Sequence, residues 1–426
     1  MTNTKGILEN ILFLLCLFPY LSPVATPFDT QPYGLLFGFL ILIIKFVQNK
    51  GLKIPKKLIP YFLIFFFAFV IMLMRSNIID GIRSLVGYAS VAILSLAGYY
   101  SFKFVKGKCL LFAVNVWFVF ALIQTLINKS FGSFMISRMS TSADRGVTSL
   151  AVEPSFYAIM CIFFFVLNDI FFARGDYSKK TYNYIFIITI IQLLLSKAAM
   201  GFVLLAIYLV VKVFTTGNIL KKLKNLTGFI VIGGIFYYLF TTVQSLREGR
   251  VGTLLTKLEG GITDLILKDG SIADRLSHIL VSFSSLFHSY GLGYGLATWD
   301  EHALEIANNS GEFISEVSSV NFTPGRIMSG WGTAVFELGI VGIVFMVMFF
   351  IIMRSGIKHT KGYMRDVYKS TLITIFFTML MSVPLSFPLF GYLIGAMIQL
   401  QHEDVAVRER ENLKKRRKFK KYRLVW

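Results

Sequence analysis

The run WGTAVFELGIVGIVFMVMFFIIM, residues 331–353, carries one charged side chain, Glu337, among apolar and small residues. About 20 apolar residues in helical form cross the hydrocarbon core of a bilayer, so this run reads as one transmembrane helix. Inside lipid each backbone amide must find its partner within the chain, which makes helix the default for such runs. An acid two turns into a span is rare and faces a cavity or a partner. Glu337 is therefore read either as a hydrogen-bonding group of the packing or as part of a site. The small residues of Phe336-Glu-Leu-Gly-Ile-Val-Gly342 suit close helix packing.

Similar runs recur throughout the 426 residues, which are 55% hydrophobic and 15% aromatic with a mean hydropathy of +0.67. Strand alternation is absent, which argues against an outer-membrane barrel. The expected fold is an all-α polytopic membrane protein with about 12 transmembrane helices. Their approximate ranges are 7–25, 31–48, 58–75, 82–101, 109–128, 155–173, 182–196, 198–214, 226–243, 331–353, 369–386 and 388–400. Two joints are close: the hairpin around Ser196-Lys-Ala-Ala199 and the split near Pro384 and Pro388. Nine spans thus precede residue 244, with a shorter loop at 128–154 between the fifth and sixth. Three more occupy 331–400, and a basic tail fills 401–426.

The exception to this plan is the hydrophilic stretch 244–330. It carries Arg247, Arg250, Arg275, His278, His288, His302 and Arg326, and includes the glycine run Gly291-Leu-Gly-Tyr-Gly295. Spanning lipid requires no such segment. Within it, Leu276, Ile279, Leu280, Phe283, Leu286 and Phe287 recur at helical spacing, opposite Arg275, His278, Ser282, Ser285 and Ser289, with Asp274 beside that polar face. The pattern predicts an amphipathic helix lying against the membrane or packed over the spans. The glycines after it permit tight turns and close backbone approach.

Charge sets the orientation. With both termini inside, 31 of the 43 Lys and Arg fall on the inner side, against 8 of the 23 acids. The positive-inside rule then puts the 244–330 loop outside the cytoplasm. The net charge of +20 is accordingly a topology signal. The tail from Lys414 to Arg423 reads as an anchor on anionic lipid headgroups, and no nucleic-acid partner is expected. Cys16, Cys109 and Cys161 lie in apolar spans as small hydrophobes, without disulfide or metal-ligand spacing. No metal and no cofactor are expected.

Several groups are chemically equipped. Arg247 and Arg250 sit three apart, so a helix would put both guanidiniums on one face, suited to a diphosphate or simply solvated near Glu248. Arg275 and His278 share the same spacing; the histidine is a candidate general base or a solvent-exposed neighbour of an Asp274–Arg275 pair. In the shorter loop, Asp144-Arg145 leads to Glu153-Pro154-Ser155. Proline suits the first turn of the sixth span, leaving Glu153 at a positive helix end. There it is a favourable terminal charge or a base pre-placed for a sugar hydroxyl. Tyr290, Tyr294 and Trp299 are candidates for stacking on sugars or for interfacial anchoring.

The layout is similar to that of the Wzy-type O-antigen polymerases of bacterial inner membranes. Locally the resemblance rests on Arg145-Gly…Glu153-Pro-Ser-Phe, on Phe336-Glu-Leu-Gly-Ile-Val-Gly342 after the long loop, and on Arg250 followed after ten residues by Gly261. The related O-antigen ligases carry a histidine-centred motif before the span after the loop, and the stretch 308–330 has no histidine. The resemblance implies a periplasmic loop, cytoplasmic termini and an undecaprenyl-diphosphate-linked oligosaccharide as substrate, joined into polysaccharide without a metal. It also implies membrane-lipid contacts and a chain-length regulator protein as a partner. On that basis Glu153 and then His278 are expected as base, and Arg247, Arg250, Arg275, Arg145 and Arg326 as diphosphate ligands. The ligase activity and a lipid-linked oligosaccharide flippase or transporter are the alternatives.

Overall fold

The computed structural model describes residues 6–22, 30–74, 78–136, 139–140, 146–215, 250–323 and 325–404, with 227, 233–234, 237–238 and 242. The described residues are helical, without strands beyond one isolated bridge between Leu21 and Ile136. Arg145, Arg247, most of the expected ninth span and the tail beyond 404 lie outside them.

The first eight helices are α1 (Ile7–Leu17), α2 (Tyr33–Asn49), α3 (Ile59–Leu73), α4 (Ile78–Ser101), α5 (Gly107–Leu126), α6 (Pro154–Arg174), α7 (Lys179–Ser196) and α8 (Ala199–Thr215). The hydrophilic segment folds into α9 (Arg250–Glu259), α10 (Ile262–Lys268), α11 (Gly270–His288), α12 (Trp299–Asn309) and α13 (Glu312–Val320). It is followed by α14 (Gly330–Leu338), α15 (Ile340–His359), α16 (Gly362–Met381) and α17 (388–404). Four stretches, Ile78–Phe104, Gly107–Leu126, Pro154–Arg174 and Ile340–His359, are long and apolar enough to cross a membrane; α1, α2, α3 and α8 are apolar but shorter. The chain is thus a membrane-type helical protein.

Helix α6 is the axis of the bundle. Pro154 starts it and Gly175, at φ 84°, ends it. It is apolar on every face, as expected of a helix surrounded by protein, and it packs against α5, α7, α8 and α16. Helices α2, α3, α5 and α15 instead leave one apolar face uncovered, with Phe39, Phe66, Phe112 and Val344 among its exposed residues. Contiguous apolar surface on this scale is unfavourable in water and is satisfied by lipid.

At the end of α6 opposite Pro154, Asp169 accepts hydrogen bonds from the hydroxyls of Tyr182 (2.9 Å), Tyr208 (2.7 Å) and Tyr363 (3.0 Å) and pairs with Lys212 at 2.6 Å. Four helices therefore meet on one buried carboxylate.

The opening run is not one helix. It breaks at Gly339, whose backbone (φ 58°, ψ −127°) suits glycine alone, and α14 turns against α15 there. A Cβ on Gly342 would lie 2.0 Å from the Ala334 carbonyl oxygen, so the two helices touch backbone to backbone. The break is occupied by the glycine run: Tyr294 N–H donates to the Phe336 carbonyl (2.8 Å), Gly295 N–H to Glu337 (3.0 Å), and Ile340 N–H to Gly291 (2.8 Å). Carbonyls left open at the end of α14 are thereby satisfied by a segment some 40 residues earlier.

Helix α11 has the expected periodicity. Asp269 caps it, accepting from Ser271 and Ile272 N–H at 3.2 Å each. Its polar and small face is the buried one: Asp274, Ser277, His278, Ser282 and Ser285 are turned inward, while Phe287 is exposed. Small side chains let α14 approach closely, since a Cβ on Gly332 would meet Ser282 Oγ at 2.9 Å. Val281 joins Trp299, Ala303, Ile306, Ile327 and Phe336 in a second small core that seats the segment on α14.

Candidate functional site

Glu153 is the N-cap residue of α6, in extended conformation, with Ser155 Oγ 3.4 Å from its Oε2. A buried glutamine fixes the turn that delivers it. Gln124 on α5 donates to the carbonyls of Phe131 (2.7 Å) and Ser149 (2.9 Å) and accepts from Ser149 N–H (2.6 Å). Ser149 (φ 51°) in turn donates to the Trp117 carbonyl at 2.6 Å. Gly146 lies where a Cβ would be 2.0 Å from the Ser196 carbonyl oxygen, so this segment is wedged against the α7–α8 turn.

From the other side come α11 and the 325–329 segment. Arg275 reaches back toward Ser271 Oγ (3.4 Å), and the Arg326 guanidinium sits 5.6 Å above the Phe156 ring. Glu153, Arg275 and Arg326 line one small cavity of about 30 Å³ together with Ser382 and Pro384. That space accommodates a water or one small group. Two segments far apart in sequence thus bring a carboxylate and two guanidiniums to one place.

A second cavity, about 330 Å³, adjoins it and shares Arg326. Its charged lining comprises Asp80 and Arg83 from α4, Asp300 from α12, Arg326, and Glu337 from α14. Glu337 is buried and fully engaged: it accepts from Ser84 Oγ, Tyr88 OH (2.8 Å) and Ala297 N–H (2.9 Å). Asp80 and Arg83 were not singled out by sequence reasoning. The only signal for them is their spacing of three at the edge of an apolar run, which places both on one helix face.

His278 is wholly buried. Its Nδ1 accepts from Met328 N–H at 3.0 Å, and its Nε2 lies 3.5 Å from Asp274 Oδ1. With Nδ1 accepting, Nε2 carries the proton and faces Asp274. The ring's one lone pair is therefore committed to the backbone, and Trp299 and Phe322 cover it at 5.1 and 5.5 Å. This geometry ties Phe322 and Met328 to α11. Burial pushes the Asp274 carboxyl up, but the His278 contact and the Thr323 N–H (2.7 Å) outweigh it and hold the group below the usual carboxylate range.

The aromatic candidates separate. Tyr290 is 95% exposed. Tyr294 stacks on Phe336 at 5.4 Å and lies 4.7 Å from the His302 ring. Trp299 is buried, stacked on Phe322 (5.5 Å) with Phe336 edge-on (4.9 Å), so its ring faces are already taken by protein. Arg250 opens α9, and its side chain lies outside the described residues. Among the described residues no group of three or more His, Cys, Asp or Glu is placed to hold a metal ion.

No family model matches the chain, and no curated protein matches it either.

Proposed function

We propose that this protein is a membrane glycosyltransferase of the O-antigen polymerase type. It would join undecaprenyl-diphosphate-linked oligosaccharides at the outer face of a bacterial inner membrane, with both termini in the cytoplasm. The observation that carries the reading is the convergence of Glu153, Arg275 and Arg326 on one cavity at the start of α6. It supplies a candidate base beside two permanent cations, the combination that expulsion of a diphosphate requires.

In this reaction an acceptor hydroxyl oxygen attacks the anomeric carbon of the donor glycan. The new C–O bond forms as the bond from that carbon to the diphosphate oxygen breaks. Glu153 takes the hydroxyl proton. Arg275 and Arg326 stabilise the charge that grows on the departing diphosphate, a role for planar forked donors that stay ionised. Glu153 is preferred to His278 as the base because the histidine's lone pair is engaged by Met328 N–H.

A deletion strain carrying plasmid-borne variants tests this reading. Loss of the gene should leave lipopolysaccharide capped with a single repeat unit, and Glu153→Ala should do the same at normal expression. Long polymer accumulating on the lipid carrier in the deletion strain would instead indicate a ligase.

A further inference from the structure

The two adjoining cavities differ in charge. The smaller sets two arginines against one carboxylate; the larger sets Arg83 and Arg326 against Asp80, Asp300 and Glu337. A second anion would be repelled from the larger one. Its volume of about 330 Å³ falls in the range of built small-molecule sites. Its uncharged polar lining is hydroxylic: Ser84, Thr333, and a Thr30–Ser386 pair linked at 2.8 Å. The Trp299 indole N–H, buried in the same wall, meets no acceptor among the described residues.

We infer that the larger cavity is a subsite for an uncharged, hydroxyl-rich sugar, and that it excludes the diphosphate. The Asp80 and Asp300 carboxylates accept hydrogen bonds from sugar hydroxyls, while Arg83 donates to sugar oxygens. Because the faces of Trp299 are covered, recognition here runs through hydrogen bonds rather than stacking. Arg326 lines both cavities, so a sugar in the larger one lies beside a guanidinium assigned to the leaving group. On the polymerase reading, which this assignment presupposes, the larger cavity holds the acceptor sugar.

The test uses the full-length protein in detergent with its three cysteines replaced and Thr333→Cys introduced in the cavity wall. Modification of that thiol by a small methanethiosulfonate reagent is timed with two probes. One is the free oligosaccharide released by mild acid from the source strain's lipid-linked repeat unit; the other is inorganic pyrophosphate. The oligosaccharide should slow modification about tenfold at about ten times its dissociation constant, and pyrophosphate should not. Asp300→Asn should weaken this protection, and Ser386→Cys replaces Thr333→Cys as reporter if the latter misfolds. Protection by pyrophosphate alone, protection by neither probe, or a thiol that never reacts would each overturn the inference. Binding is read without turnover, so a failed polymerase assay with intact protection would overturn the reaction and leave the sugar subsite standing.

Discussion

Gly293 and Gly339 meet backbone to backbone: a Cβ on either would lie 2.5 Å from the other's amide nitrogen. That contact locks the segment carrying Trp299, Asp300 and Ala297 into the break between α14 and α15. It thereby sets one wall of the larger cavity.

Gly339→Ala should be strongly destabilising. Its backbone conformation strains any other residue by roughly 1–3 kcal/mol, and the added methyl would also strike the Gly291 carbonyl oxygen. Gly311→Ala is the matched control, with positive φ but open space around it. Thermal unfolding in detergent should show a clearly larger drop for Gly339→Ala; equal drops would refute the packing argument.

Glu337 joins α4 to the long segment through Ser84, Tyr88 and Ala297. Glu337→Ala strands buried donors and should lower stability by about 1–3 kcal/mol. Glu337→Gln keeps an acceptor and should lose less. Glu337→Met, which keeps the volume without a good acceptor, separates this from a steric effect: thermal unfolding should place it below Glu337→Gln, and equal stability of the two would contradict the hydrogen-bond account.

The legibility of the chain follows from what hydropathy encodes. The start of α6 at Pro154, the α7–α8 turn at Lys197 and the separation of α16 from α17 were readable, because proline, glycine and local polarity mark them. The break at Gly339 was not, since residues on both sides are equally apolar and the cause is a glycine run some 40 residues away. Helical phase grouped His278 with Ser282 and Ser285 but pointed to the apolar stripe as the packed face, and the structure buries the polar face instead. With lipid as one solvent, an apolar stripe no longer identifies the inside. The cavity residues Asp80 and Arg83 become meaningful only once α4, α12 and α14 are brought together.

The Asp169–Lys212 pair should act as a clasp for α6, α7, α8 and α16. Lys212→Met leaves Asp169 its three tyrosine donors, whereas Asp169→Leu/Lys212→Met strands the buried hydroxyls of Tyr182, Tyr208 and Tyr363 as well, at roughly 1–3 kcal/mol each. The double variant should therefore melt below Lys212→Met alone. A double variant as stable as the single, or more so, would contradict this.

The pH dependence of the α11 anchor follows from Asp274. Its carboxyl sits below the ordinary value of 3.8, so the folded state binds the proton more weakly than the unfolded chain does. This contribution is complete above that value and is lost as pH falls through the depressed one. Pepsin cleavage within 270–328, measured against an unstructured peptide at each pH, should accelerate as pH falls below the ordinary carboxyl value. Asp274→Asn should flatten that dependence; an unchanged profile would remove Asp274 as its cause.

Glycan polymerisation is proposed to take place beside Glu153, Arg275 and Arg326. Its most direct test is purified protein in liposomes with undecaprenyl-diphosphate-linked repeat units, without ATP or nucleotide sugar. A ladder of lengthening lipid-linked glycan is expected, abolished by Glu153→Gln in protein that remains folded. Movement of substrate across the bilayer without elongation, or an unaltered ladder from Glu153→Gln, would contradict it.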